Sequence, residues 1–236
     1  MTSRFGAAVA CLLLTPSFVD TSNHVKRLEA MYRGARTLQV TFFERYSENG
    51  HIVRTEAGVA YFRRPGKMRW DYESPEKNLF LVDGKTAWFY VPGDHTVTRV
   101  PAKQSTDWRT PLALLAGEMK LSRICVRVDF ATAEKPDKDG DVVLSCMLKG
   151  SENTADPASK NDAAHARRDS LILEVTPDTS ELVRIVVREA GGVDIEFKFK
   201  DWQFDPAIPD SFFRFEVPPG VAIVNGELPA EKKSVN

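Results

Sequence analysis

Residues 57–91, AGVAYFRRPGKMRWDYESPEKNLFLVDGKTAWFYV, decide the fold. Read as strands, successive side chains point to opposite sides, so parity sorts them onto two faces. Phe62, Arg64, Met68, Trp70 and Tyr72 share one parity; Tyr61, Arg63, Lys67, Arg69 and Asp71 take the other. The second set reads as the wet face of an antiparallel sheet, and the first is apolar except for the guanidinium of Arg64. An unpaired charge on an apolar face costs on the order of several kcal/mol. Arg64 therefore either snorkels to water along its alkyl stem or bonds a partner supplied from elsewhere in the chain.

The neighbouring sequence continues the strand pattern. Pro65-Gly66 interrupts, Pro75 ends a strand, and Asp83-Gly84 turns a hairpin between Leu79–Val82 and Thr86–Val91. Both faces of that hairpin carry apolar groups, Phe80 and Phe89 among them, so period alone leaves open which side lines a cavity. Upstream, Val40–Tyr46 and Ile52–Phe62 flank the hairpin signal Asn49-Gly50. Downstream, Thr96–Val100, Arg123–Phe130, Val142–Lys149, Leu171–Thr176, Leu182–Glu189 and Val193–Lys200 read as further strands, with Gly191-Gly192 turning the last hairpin. Phe212–Pro219 gives one more short extended piece.

Two segments depart from the strand period. From Ser22 to Leu38, apolar residues at Val25, Leu28, Met31, Tyr32, Ala35 and Leu38 make one helical stripe, with Ser22 or Asn23 as N-cap. Within Gln104–Gly117, Thr110 caps a short helix that has Pro111 at its first position, carries Leu112, Leu114 and Leu115, and stops at Gly117. A helix this short holds only when docked.

The chain has 236 residues, 42% of them hydrophobic and 28% charged, with a net charge of -1, which is ordinary for one soluble globular domain. Its basic residues are dispersed, so nothing points to nucleic acid. Arg4 followed by the apolar run Phe5–Leu14 has the length of a secretory signal and not of a membrane span. Residues 1–21 are read as that signal, 22–224 as the domain, 151–169 as a polar mobile insertion within it, and 225–236 as a tail. Cys11 sits in a faint lipidation box with too few apolar residues before it. Cys125 and Cys146 remain after processing, on strands that face each other; a disulfide and two free buried thiols are equally open readings.

No chemistry is encoded in a recognisable pattern. His24, His51, His95 and His165 lie far apart with no metal-ligand spacing, and no G-x-S-x-G, C-x-x-C or phosphate-cradling glycine loop occurs. The reading is of a protein without catalytic residues, metal or cofactor. What remains is an apolar face with one polar gate, the composition of a lipid or small-molecule site.

The blocks RRPGKMRWDYESPEK and LVDGKTAWFYVP, with R-P-x-x-x-x-W followed by D-G-K-T-x-W-F-Y, resemble the LolA family of periplasmic lipoprotein carriers. The likeness extends to Thr110-Pro111-Leu112 with Leu114, Leu115 and Ala116, and to Phe213-Arg214-Phe215 with Val217, Pro218, Gly220 and Val221. The insertion at 151–169 is where it is weakest. The resemblance implies an α+β fold, mostly antiparallel: a half-open β-barrel whose hydrophobic cavity is covered by a helical lid. It implies a cavity lined by Phe62, Met68, Trp70, Phe80, Phe89, Leu112, Leu114 and Leu115, with Arg64 gating the lid through backbone carbonyls. It implies a monomer in the periplasm, triacylated lipoproteins as cargo, an inner-membrane ABC exporter that loads and an outer-membrane receptor that unloads. A membrane-anchored receptor of the same fold, or a lipid-sensing regulatory module, is the alternative.

Overall fold

The computed structural model describes residues 20–104, 112–117, 120–150, 169–189 and 191–226. Most of the signal segment with Cys11, the Thr110-Pro111 cap, most of the insertion and most of the tail lie outside the described residues. Helix α1 spans Ser22–Arg33, followed by β1 Thr37–Glu48, β2 His51–Arg63, β3 Lys67–Ser74, β4 Leu79–Val82, β5 Thr86–Val91 and β6 Thr96–Pro101. Then come α2 Ala113–Ala116, α3 Leu121–Ile124, β7 Cys125–Phe130, β8 Val142–Leu148, β9 Ser170–Val175, β10 Leu182–Arg188, β11 Val193–Phe204 and β12 Ala222–Asn225.

All the strands among the described residues join one sheet in the order β12-β6-β5-β4-β3-β2-β1-β11-β10-β9-β8-β7. It is two meanders, β1–β6 and β7–β11, joined where β1 pairs with β11. Every pairing is antiparallel except that of β12 with β6. Its ends, β12 and β7, do not pair with each other among the described residues, so the curved sheet stays open.

Turn chemistry fixes the register as expected. Asn49 and Gly50 both take positive φ, which matches the twist of a two-residue hairpin, and Gly84 and Gly192 do the same for two later turns. The Asp83 carboxylate accepts the amides of Lys85 and Thr86 at 2.8 Å each, closing the β4–β5 turn. Gly58 is demanded by a close approach that the sequence does not advertise: a Cβ there would fall 2.0 Å from the carbonyl oxygen of Asp71 on β3.

One apolar core covers the inner face. It gathers Leu38, Val40 and Phe42 of β1, Ala60 and Phe62 of β2, Met68, Trp70 and Tyr72 of β3, and Ile195, Phe197 and Phe199 of β11. Trp70 meets Phe42 and Phe62 edge-on at 4.9 and 5.7 Å, the arrangement ring quadrupoles favour. Leu28 and Tyr32 of α1 are buried in the same core. The Leu182 amide donates to the Tyr32 hydroxyl at 2.8 Å, and burial drives the phenol's pKa far upward.

Several local expectations need correction. The stripe Ser22–Leu38 is packed as foreseen, but the helix stops at Arg33 and Leu38 enters the core from β1. The reason is Asp205, whose carboxylate accepts the amides of Arg36 and Thr37 at 2.6 and 3.3 Å and diverts the chain into a strand. Neither Ser22 nor Asn23 caps the helix; Thr21 holds the cap position, and Asp20 accepts the Ser22 amide at 2.8 Å. Near Phe212 the chain forms a 3₁₀ turn, Asp210–Phe213, and the extended piece comes later, at Ala222–Asn225. The open question of the cysteines resolves as a bond: Cys125 and Cys146 are disulfide-linked, with Cα atoms 5.5 Å apart.

The largest correction concerns the supposedly wet face. Tyr61, Arg63, Lys67, Arg69 and Asp71 do lie opposite the core, but residues 206–218 run across them as a strap. Arg63 donates to the Ile208 carbonyl at 2.6 Å, Lys67 pairs with Asp210 at 2.6 Å, and Arg69 donates to the Phe212 carbonyl at 3.0 Å. The Arg69 guanidinium also lies 4.2 Å from the centre of the Phe212 ring. Lys67 and two arginines hold Asp210 below the usual carboxylate range. Behind the other meander, Glu134, Asp137 and the backbone of Lys135, from the loop joining β7 to β8, meet Arg184 and Arg188.

Candidate functional site

The site is built where three chain segments converge on Arg64. It follows β2 directly, and its backbone amide donates to the Arg36 carbonyl at 3.0 Å, which fixes where the side chain starts. The guanidinium then reaches two helix ends. Toward the lid it donates to the carbonyls of Gly117 at 2.5 Å and Leu115 at 3.3 Å. Toward α1 it donates to Arg33 at 3.1 Å and to Ala35. These are the carbonyls that a helix C-terminus leaves without an internal partner, and a cation is favoured there by the helix dipole. The Gly66 amide adds one more tie, donating to Ala116 at 2.9 Å.

The partner that an inward arginine needs is therefore backbone, from α1 and the lid together. Burial lowers the Arg64 pKa, Asp205 opposes that through its charge, and Arg33 adds to it. Arg33, Arg64, Pro65, Ala116, Gly117 and Lys120 surround a cleft of about 340 Å³ at this seam.

The residues expected to line a cavity lie together. Phe62, Met68, Trp70 and Phe80 are buried on the inner face, and cross-strand register places them side by side: Phe62 opposite Met68, and Phe80 opposite both Trp70 and Phe89. That register settles the ambiguity of the β4–β5 hairpin, because Phe80 and Phe89 share the inner face. Leu112 and Leu115 of the lid segment are buried in the same core, with Leu114 and Phe89 partly buried against it. Thus Arg64 ties the Leu112–Gly117 segment, whose leucines pack onto an aromatic inner wall, to the end of α1.

The far end of the inner face carries a second polar group that the central stretch could not disclose. Glu44 and Glu56 sit directly opposite each other on β1 and β2, both buried. Arg54 reaches them at 3.6 and 3.0 Å, and the Tyr72 hydroxyl donates to Glu44 at 3.0 Å. The signal was available: Glu44 shares parity with Val40, Phe42 and Tyr46. The strap anchors Arg63, Lys67 and Arg69 were missed, because their shared parity marks a face but not the segment that covers it.

Among the described residues no helix is long and apolar enough to cross a membrane. A protein of Chromobacterium violaceum named outer-membrane lipoprotein carrier protein is 29% identical over 223 residues, covering 94% of this chain and 95% of the relative. A Nitrosomonas europaea protein of the same name is 28% identical over 215 residues, covering 91% and 93%. The crystal structure of an uncharacterized conserved protein from Thermus thermophilus shares the fold, with TM-score 0.51 and 13% identity over 87% of this chain and 99% of that one. The family model described as outer membrane lipoprotein carrier protein LolA matches residues 33–216, from the end of α1 through the strap, and so takes in the sheet, the lid and Arg64. The chain belongs to the LolA family.

Proposed function

We propose that this protein is a soluble periplasmic carrier that takes the acyl chains of triacylated lipoproteins between its lid and its inner wall. An inner-membrane ABC exporter loads it and an outer-membrane receptor unloads it; it performs no catalysis. The observation that carries this reading is Arg64, tied to carbonyls of both the lid and α1 over a continuous apolar core. Family membership and the carrier names of its relatives support it.

Energetics explains why such a lid must be reversible. Each acyl CH₂ removed from water contributes ~0.8 kcal/mol, but the competing state is a bilayer that buries the same chains. Net affinity is then a small difference, and the carrier accepts and releases cargo only if its wall is no better a solvent than lipid. In the empty protein, lid leucines cover Trp70 and its neighbours, and Arg64 holds that cover. Entering chains displace the leucines and break the ties.

A photo-crosslinking residue in place of Met68, with exposed Ile52 as control, tests the site against a synthetic triacylated lipopeptide. An adduct at position 68 and none at 52 is expected; equal labelling at both would place the lipid elsewhere. Arg64→Leu should retain cargo and impair handover to receptor-bearing membranes, and unaltered handover would remove Arg64 from the mechanism.

A further inference from the structure

A second cleft, of about 640 Å³, opens at the β12 edge of the sheet, remote in the strand order from the β1–β11 seam and lined by none of residues 112–117. Lys85, Trp88, Arg99, Pro101, Asn225 and Gly226 contribute to its walls. Trp88, Arg99 and Asn225 form one cross-strand row over β5, β6 and β12. The Arg99 Nε donates to the Asn225 side chain at 2.6 Å, and its guanidinium lies 5.9 Å from the centre of the Trp88 ring.

These cations differ from most others on the sheet. Arg45, Arg54, Arg63, Lys67, Arg69, Arg184, Arg188 and Lys198 all meet carboxylates. Lys85 and Arg99 meet none among the described residues, and no carboxylate lines the cleft. The nearby Asp83 is already engaged by the amides of Lys85 and Thr86 and by the Trp88 indole.

At the same edge the outer side of β12 pairs with no other strand among the described residues. The Ala222 amide donates to the His95 carbonyl, toward β6. Backbone groups alternate sides along a strand, so those of Ile223 and Asn225 point away from β6, outward. β12 is exposed throughout, with Ile223 and Val224 each about half exposed at 46% and 47%. Natural sheets usually protect such an edge.

We propose that the β12 edge is a docking site for an extended, carboxylate-bearing segment of a partner polypeptide. The segment adds a strand to β12 through Ile223 and Asn225, and its acidic side chain enters the cleft to meet Arg99 and Lys85 beside Trp88. Strand addition supplies affinity, and the paired cations select for acid over base.

Fluorescence anisotropy with two labelled hexapeptides, alternating Val-Glu and alternating Val-Lys, tests this on the full chain. The Val-Glu peptide should bind at least tenfold more tightly than the Val-Lys peptide. Arg99→Gln should weaken it about tenfold, and Ile223→Pro, which removes an outward amide while sparing the bond to His95, should weaken it comparably. Thermal melts confirm that both variants fold. Equal binding of the two peptides, or indifference to both substitutions, overturns the proposal. So does binding of neither peptide, or Val-Glu binding seen only after residues 227–236 are deleted, which would make the chain's own tail the occupant.

Discussion

Arg64, at the inner-face seam, and Arg184, on the outer face beneath the β7–β8 loop, are both cations held by several acceptors, yet they are held in opposite ways. Arg64 bonds only to neutral carbonyls, at the ends of α1 and the lid. Arg184 meets carboxylates: Glu174 at 2.6 Å, Glu196 at 3.5 Å and Asp137 at 3.9 Å. Glu174 is completely buried and also accepts the Asp137 amide at 2.6 Å. Withdrawing Arg184 would strand buried negative charge, whereas withdrawing Arg64 would free dipoles that water at the seam can solvate. The first arrangement is a fixture; the second suits the latch that the proposed function calls for.

Breaking the fixture should have the largest effect. Arg184→Ala should lower unfolding free energy by about 3–5 kcal/mol, because Glu174 keeps its burial and loses its cation. Urea titration measures it, and Arg184→Met combined with Glu174→Leu should recover most of the loss. A single substitution as mild as the pair would show that Glu174 carries no stranded charge.

The disulfide comes next. Cys125 and Cys146 are separated by 21 positions, and closing a loop of that size contributes about 3 kcal/mol in the chain-entropy account. Cys125→Ser with Cys146→Ser should lose about that amount in urea. Since α3 leads directly from the lid segment into Cys125, hydrogen exchange should also rise across residues 121–130.

Arg64→Leu should cost less, about 1–2 kcal/mol, because only neutral acceptors are released. Its signature is local: amide exchange around residues 64–66 quickens by more than the modest shift of the global transition accounts for.

Acidification should have the smallest effect and should touch only one of the two regions. Hydrogen bonds from Arg188 hold the Glu134 carboxyl below its ordinary 4.5. A depressed folded pKa contributes stability that is present above the unfolded value and is lost as pH falls through the folded one. Below pH 4.5 the loop of residues 131–141 should therefore loosen in hydrogen exchange. The Arg64 ties contain no carboxylate and should hold through the same range.

The latch was more legible in sequence than the fixture, for a physical reason. Arg64 is an exception inside a strongly alternating stretch, and an exception to a period of 2 is visible from the strand alone. Arg184 lies on β10, where Leu182, Ile185, Val186 and Val187 are all buried, so both sides of the strand are covered and parity gives no contrast. Its cover is the β7–β8 loop, a polar segment from a distant part of the chain. The strap over Arg63, Lys67 and Arg69 escaped for a like reason: strand parity identifies two faces, but it cannot distinguish water from a later segment that supplies Asp210 and Phe212. Helix α3 is four residues long, too short for a period to show. The sheet and the apolar face of β2 and β3 rest on local alternation and turn residues and were readable from the outset, whereas the lid role of the Leu112–Gly117 segment came only from the family resemblance.

The latch can be watched through one amide. Gly66 donates to the lid carbonyl of Ala116, while the Asp137 amide donates to Glu174 in the fixture. Hydrogen exchange at both sites, with and without a bound triacylated lipopeptide, tests the central claim most directly. Loading should speed exchange at Gly66 by at least about tenfold and leave Asp137 unchanged; a Gly66 amide that stays equally protected while lipopeptide is bound would contradict the account.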